Sequence, residues 1–349
     1  MRRFFYITAL LCLTACAKDI SVSQEEMADV YPQLQTPVKH GVVIHPADTT
    51  LLTDSPGVYR HNGSWYMTYI GFDGKGYETY LAKSENLMDW ETLGKVLSYR
   101  EGAFDQFQRA GYPALQDMEW GGSYELQKFN GKYWMTYIAG DQTGYEAGVL
   151  SVGLANTDRP DLAQEWETLD RPVISPTDDD AQWFERITQY KSHIIHDSEK
   201  ITGHKYVMYY NAAGVNPENG FYAERIGMAF SDDLKTWTRY ADNPVLAHEV
   251  DHTITGDPQI QKIGDLYVMF HFRAFEPSKP YQAYNTFACS RDLIHWYAWE
   301  GEDLIYPTEE YDNLYAHKSW VVQWKGVTYH FYCACDTQGH RGIAVATSK

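Results

Sequence analysis

Asp54-Ser55-Pro56-Gly57-Val58-Tyr59, then the turn Asn62-Gly63 and the run Trp65-Tyr66-Met67-Thr68-Tyr69, sets a pattern that the chain repeats. A small or polar cluster leads into an alternating strand, a Gly-centred turn and an aromatic-rich strand. The order returns from Gly122-Ser123-Tyr124 through Asn130-Gly131, and from Lys191-Ser192-His193 through Gly203-His204. It returns again from Asp257-Pro258-Gln259 through Gly264-Asp265, and from Lys318-Ser319-Trp320 through Lys325-Gly326. Equivalent positions 55, 122, 191, 257 and 318 lie 67, 69, 66 and 61 residues apart. A second phrase, Ser-x-x-Leu-x-x-Trp, occurs as Ser84-Leu87-Trp90, Ser231-Leu234-Trp237 and Ser290-Leu293-Trp296. A unit of this length built only of strands cannot bury both faces alone. The pattern therefore predicts an all-β fold, a five-bladed β-propeller of four-stranded antiparallel blades.

Within each unit the tight turn suits a two-residue hairpin. The Ser and Leu of the second phrase should sit in a turn, with the Leu wedged between blades and the Trp opening the outer strand. The last unit ends at Ile343-Ala344-Val345-Ala346 without an outer strand. The segment Gly41-Val42-Val43-Ile44 is expected to supply it and close the ring, which removes exposed edges.

The chain has 349 residues, 15% of them aromatic, and a formal net charge of −18. That charge argues against a nucleic-acid partner, whose phosphates want Lys and Arg. Arg2-Arg3, a short apolar run and Leu13-Thr14-Ala15-Cys16 read as a bacterial lipoprotein signal over residues 1–16, with Cys16 acylated. Residues 17–37 are expected to be a flexible tether, and residues 38–349 one propeller domain. The expected location is the bacterial cell envelope, through a lipid anchor alone. Cys289, Cys333 and Cys335 read as buried thiols.

Inner-strand starts of a propeller converge at one mouth of the axis. Asp54, Glu119, Lys191 with His193, Asp257, and His317 with Lys318 should therefore share one cup. Acids, a His and two Lys brought together there suit acid–base cleavage of a glycosidic bond. Each acid also has a plainer reading as a turn residue, and each His as a packed core residue. Lys191 and Lys318 would neutralise carboxylates or bind substrate. Arg109 and Arg186, in loops entering the second and third units, would be surface residues or a clamp on an anionic group. Trp120, Trp183 and Trp320 lie beside the clusters and are candidates for sugar stacking. His271 and His330 match in the returning strands. They would pack in the core or hold an axial Ca²⁺ or other divalent ion; no cofactor is otherwise expected.

Asp54-Ser55-Pro56-Gly57-Val58-Tyr59 before its Gly turn resembles the first-blade motif of the five-bladed propeller glycoside hydrolases, families 43, 62, 32, 68 and 117 and their relatives. The resemblance implies that Asp54 is the general base. It gives Gly256-Asp257-Pro258 the look of a second axial site, where Asp257 tunes and orients the acid. The Glu-Gly-Pro that carries the acid in family 43 is missing before the later inner strands. Family 117, where a His has been proposed as the acid, points instead to His317, with Glu119 as competitor. The implied activity is hydrolysis, with inversion, of a plant or algal oligosaccharide. Two alternatives stay open: phosphorolysis, as in the related family 130, and a non-catalytic carbohydrate-binding surface lipoprotein.

Overall fold

The computed structural model describes residues 20–46 and 51–349. The signal segment and Cys16 lie outside the described residues. Helix α1 spans Gln24–Leu34, and β1 spans Val38–Ile44. The first antiparallel run is β2 (Leu52–His61), β3 (Ser64–Phe72), β4 (Tyr77–Ser84) and β5 (Glu91–Leu97). The next is β6 (Gln108–Pro113), β7 (Tyr133–Gly140), β8 (Ser151–Thr157) and the short β9 (Glu167–Thr168). Then come β10 (Thr188–His196), β11 (Tyr206–Val215), β12 (Tyr222–Ser231) and β13 (Thr238–Arg239). They are followed by β14 (Ile254–Ile263), β15 (Leu266–Ala274), β16 (Ala283–Ser290) and β17 (Tyr297–Ala298). The chain ends with β18 (Tyr315–Trp324), β19 (Val327–Cys335) and β20 (Arg341–Thr347). Single parallel pairs, Tyr77 with Gln108 and Glu224 with Ile254, join neighbouring runs into two eight-stranded sheets.

The N-terminal strand does what the alternation of residues 41–44 predicts. It pairs antiparallel with β20, Val38 opposite Thr347 and Ile44 opposite Ile343, as the outer member of the last sheet. Cys289, Cys333 and Cys335 are buried free thiols, also as expected.

The Ser-x-x-Leu-x-x-Trp phrase is a turn with a wedge. Ser84, Ser231 and Ser290 each accept, on Oγ, the N–H of the Leu three residues on, at 2.9, 2.9 and 3.0 Å. That bond stabilises the Leu in the left-handed region, with φ of 68°, 61° and 66°. All three Leu are fully buried. Leu87 packs with Phe331 and Val345 of the last sheet, Leu234 with Trp134 and Leu154, and Leu293 with Val207 and Tyr209. Each Leu thus fills the space between its own strands and another run. Trp90 and Trp237 donate their indole N–H to the carbonyl of Leu87 and Leu234. At Leu293 the same carbonyl accepts the Tyr209 hydroxyl instead.

Two expectations need correction. Residues 24–34 are helix and not flexible tether. Ser23 and Glu26 form a reciprocal capping box, which satisfies donors at the helix start. Met27, Val30 and Leu34 fall on one helical face and pack on Val268, Phe270 and Phe287. The polar residues that suggested a tether occupy the opposite face. The second correction concerns the second unit. Its inner strand is β6, residues 108–113, and not the segment beginning at Gly122. Residues 114–127 instead run across the inner strands of other units. Leu115 N–H donates to Ile194, Trp120 N–H to Lys262, Arg60 N–H to Tyr124, and Gln323 N–H to the Tyr124 hydroxyl.

Leu234→Ala should lower the unfolding free energy by about 2–5 kcal/mol, and Ser231→Ala by about 1 kcal/mol. Urea unfolding with an unchanged slope measures both. Equal effects for the two would remove the wedge role of the Leu.

Candidate active site

Four inner strands share one irregularity. Between Asp54 and Gly57, Gln189 and Ser192, Gly256 and Gln259, and His317 and Trp320, the pairing register slips. Two residues face one across each slip, which is a β-bulge. Ser55, Asp257 and Lys318 at these bulges have φ of 43°, 57° and 55°. A bulge re-aims side chains that a regular strand would place on its two faces. Here it turns Ser55, Tyr190, Lys191, Asp257 and Lys318 into one cavity of about 240 Å³. The unbulged β6 contributes Tyr112, and His317 joins from β18. A larger cavity of about 980 Å³ lies between α1 and residues 279–309, and it contains none of these groups. The smaller one is the candidate site, because the inner strands converge there.

Charge at the site is organised in two buried groups. Asp54 Oδ2 accepts from Lys318 Nζ at 2.9 Å and from Arg341 at 3.0 Å, while its Oδ1 accepts the Ser55 N–H at 2.8 Å. Burial alone would raise the Asp54 pKa; the two cations outweigh it and hold the carboxyl well below the usual range. The second group is Asp257 with Lys191 at 3.8 Å. Burial pushes Asp257 up and Lys191 down, so both lean towards their neutral forms. Lys191 Nζ has the Ser319 carbonyl at 3.4 Å and lies over the rings of Tyr112 and Trp320.

Two carboxyls that sequence reasoning passed over also line the cavity, Glu146 and Glu224. Glu224 is 9% exposed, and its Oε2 accepts from Asn211 Nδ2 at 3.0 Å. Burial lifts its pKa to about 8, and the negative charge of Glu146 adds to the rise. Glu146 stands on the loop between β7 and β8 with φ of 49°, a backbone region that a non-glycine residue seldom occupies. Its Oε1 accepts the Tyr77 hydroxyl at 3.1 Å and lies 3.6 Å from Lys318 Nζ. Glu224 did leave a trace in the sequence. Residues 224, 226, 228 and 230 read Glu-Ile-Met-Phe, an acid on the apolar register of a strand. Glu146 left none, since loop residues have no period. Arg341 was likewise passed over; it lines the cavity and donates to Tyr145 Oη at 2.8 Å.

The other candidates are placed as follows. His317 lines the cavity, with Nδ1 3.3 Å from the Cys333 carbonyl; burial, then Lys318, lowers its pKa to about 3, so the ring is neutral. His193 accepts the Ile260 N–H on Nδ1 at 3.1 Å, and burial, then Lys191, lowers it to about 3. Trp320 is fully buried against His193 and Lys191. Trp183 carries the Arg225 guanidinium over its ring at 4.7 Å. Arg109 is buried, with Asp105 at 3.1 Å and Glu165 at 2.5 Å, and is outside the cavity lining. Arg186 is exposed. The structure does not bring Glu119 and Trp120 to the cup. Glu119 is exposed beside Lys262 at 3.6 Å, and Trp120 stacks on Phe270. Both travel with residues 114–127, which displaced the expected inner strand. His271 and His330 are buried in separate sheets, each with a pKa lowered to about 3 by burial. Calcium takes roughly six to eight oxygen ligands. Two imidazoles do not supply that set, and among the described residues no group of three or more His, Cys, Asp or Glu is arranged to hold a metal ion.

No family model matches the sequence, and no curated protein does. Solved structures do. One described as a complex of BT0996 and RGII is 54% identical, with a TM-score of 0.93 over 94% of this protein and 96% of that one. One described as "Glycoside hydrolase" matches with the same figures. A family 117 glycoside hydrolase, Zg3597 from Zobellia galactanivorans, is 16% identical with a TM-score of 0.64 over 90% and 91% of the two proteins, a likeness of fold.

A carboxyl whose folded pKa lies above its unfolded one loses stability as pH rises between the two. For Glu224 that interval runs from 4.5 to about 8. Glu224→Gln should therefore be more stable than wild type near pH 8 and show no such gain near pH 4. Urea unfolding at both pH values checks this. The same difference at each would mean that the carboxyl does not titrate in that interval.

Proposed function

This protein belongs to the glycoside hydrolases, and we propose that Glu224 and Glu146 cleave the glycosidic bond as acid and base. The observation that carries this is the pair of unlike carboxyls in one small cavity. Glu224 keeps its proton to about pH 8, which suits a group that must protonate a leaving oxygen at neutral pH. Glu146 is held by Tyr77 and Lys318. An ionised carboxylate in that place can activate water. A left-handed backbone at such a residue is strain retained at a functional position. Inversion, implied by the family resemblance, is kept as the stereochemical part of the proposal and asks for carboxyls roughly 6.5–9.5 Å apart.

The remaining candidates take supporting roles. Asp54, with Oδ2 already shared by two cations, holds Lys318 and Arg341 in place. Asp257 and Lys191 bond sugar hydroxyls, and neutral His317 closes one side. These cations favour hydrolysis over phosphorolysis, since Lys318 and Arg341 are bound to Asp54 and a phosphate would have to displace it. No cofactor enters this chemistry. The five antiparallel runs are read as five blades around the cavity. At about 240 Å³ the site holds one sugar ring, so the enzyme removes a terminal residue. The complex described for the relative supports an RGII oligosaccharide as the substrate. The lipobox at Cys16 supports a location on the bacterial envelope, with the enzyme tethered by acylation.

Glu224→Gln should lose about 10²–10⁴ in kcat/KM on the oligosaccharide. Wild-type activity should fall as pH rises through about 8. A substrate with a 2,4-dinitrophenyl leaving group, which departs without a proton, should restore most of the Glu224→Gln loss and none of the Glu146→Gln loss. Full activity in both variants would end this assignment. NMR of the first anomer released tests inversion, and retained configuration would remove it.

A further inference from the structure

Phe275 is an odd residue for its position. It follows the last residue of β15 with φ of 58°, in the region that favours glycine. Its N–H donates to the Gln282 carbonyl at 2.8 Å and closes the base of a loop. Glycine or asparagine would meet that backbone with less strain. Core packing does not explain the ring, because the residue is 46% exposed. It does line the cavity, and its ring meets that of Tyr315, another lining residue, edge-on at 6.4 Å.

A second exposed ring reaches the same mouth from another sheet. Tyr145, on the loop between β7 and β8, is 41% exposed and lines the cavity. It is fixed by Arg341 on its hydroxyl and by edge contacts with Phe72 and Tyr77. The cavity below has room for a single ring. Whatever lies beyond the bond to be cut must sit at this rim. Aromatic faces there offer apolar area to the C–H face of a sugar while leaving its hydroxyls in water.

We propose that Phe275 is the stacking platform for the first sugar on the leaving-group side of the bond, with Tyr145 facing the same mouth. The proposal rests on the hydrolase reading of the cavity. It makes Phe275 a specificity residue: it selects an oligosaccharide over a free sugar and does not enter the chemistry.

The test uses Phe275→Gly, which removes the ring and the backbone strain together, so its thermal midpoint should equal or exceed that of wild type. KM for an RGII oligosaccharide should rise about tenfold, the equivalent of about 1.4 kcal/mol. Affinity for the monosaccharide that wild type releases should change less than twofold. Phe275→Trp should restore the oligosaccharide KM. Calorimetry in a Glu224→Gln background, where the oligosaccharide is held uncut, should show the same tenfold loss. An unchanged KM overturns the platform and leaves the hydrolase reading standing, since Glu224→Gln reports on that separately. Equal losses for oligosaccharide and monosaccharide also overturn it, because the ring would then serve the inner site. So does wild type that neither binds nor cuts the RGII oligosaccharide.

Discussion

The Asp54 carboxylate is the charge on which the site depends. It is buried, and it holds two cations from the far end of the sequence, Lys318 on β18 and Arg341 on β20. Three charges out of water are costly, and their mutual attraction must offset that cost. The arrangement therefore fixes geometry more than it adds stability. It ties the first sheet to the last. Through Lys318 it reaches Glu146, and through Arg341 it reaches Tyr145. Both lie on one loop of a third run of strands. The loop that carries the proposed base is thus positioned by a carboxylate more than ninety residues away in sequence.

The cup itself follows from backbone irregularity. Regular strands put alternate side chains on opposite faces, and both faces of a packed sheet are apolar. Polar groups reach the axis because four inner strands break register at equivalent points. Three of the bulge residues have left-handed backbone in spite of bearing side chains. The same economy appears at Glu146 and Phe275. Strain is concentrated at the one mouth where the carboxyls meet and is met elsewhere by well-packed wedges such as Leu87, Leu234 and Leu293. Electrostatics then separate the carboxyls. Glu224 is buried beside a neutral amide and stays protonated, while Asp54 is buried beside two cations and stays charged.

Much of the fold was legible because it repeats. A period of sixty to seventy residues, glycine turns and the Ser-x-x-Leu-x-x-Trp phrase each report local geometry. The outer strand around residues 41–44 was legible from alternation and from the missing edge of the last unit. The second unit misled, since Gly122-Ser123-Tyr124 imitates an inner strand while residues 114–127 follow no strand at all. The helix at 24–34 was hidden by its polar face. Within the site, Asp54, Lys191, Asp257, His317 and Lys318 were legible as a converging set, because inner-strand starts must meet.

Composition and periodicity alone determined an all-β protein of repeated units whose inner ends carry ionisable residues. Local propensity and alternation act over a few residues, so the sequence displays them directly. Which carboxyls face the cavity, and which of them keeps its proton, was decided by tertiary structure. Burial and the distance to a cation set a pKa, and both arise only when strands and loops far apart in the sequence are brought around one axis.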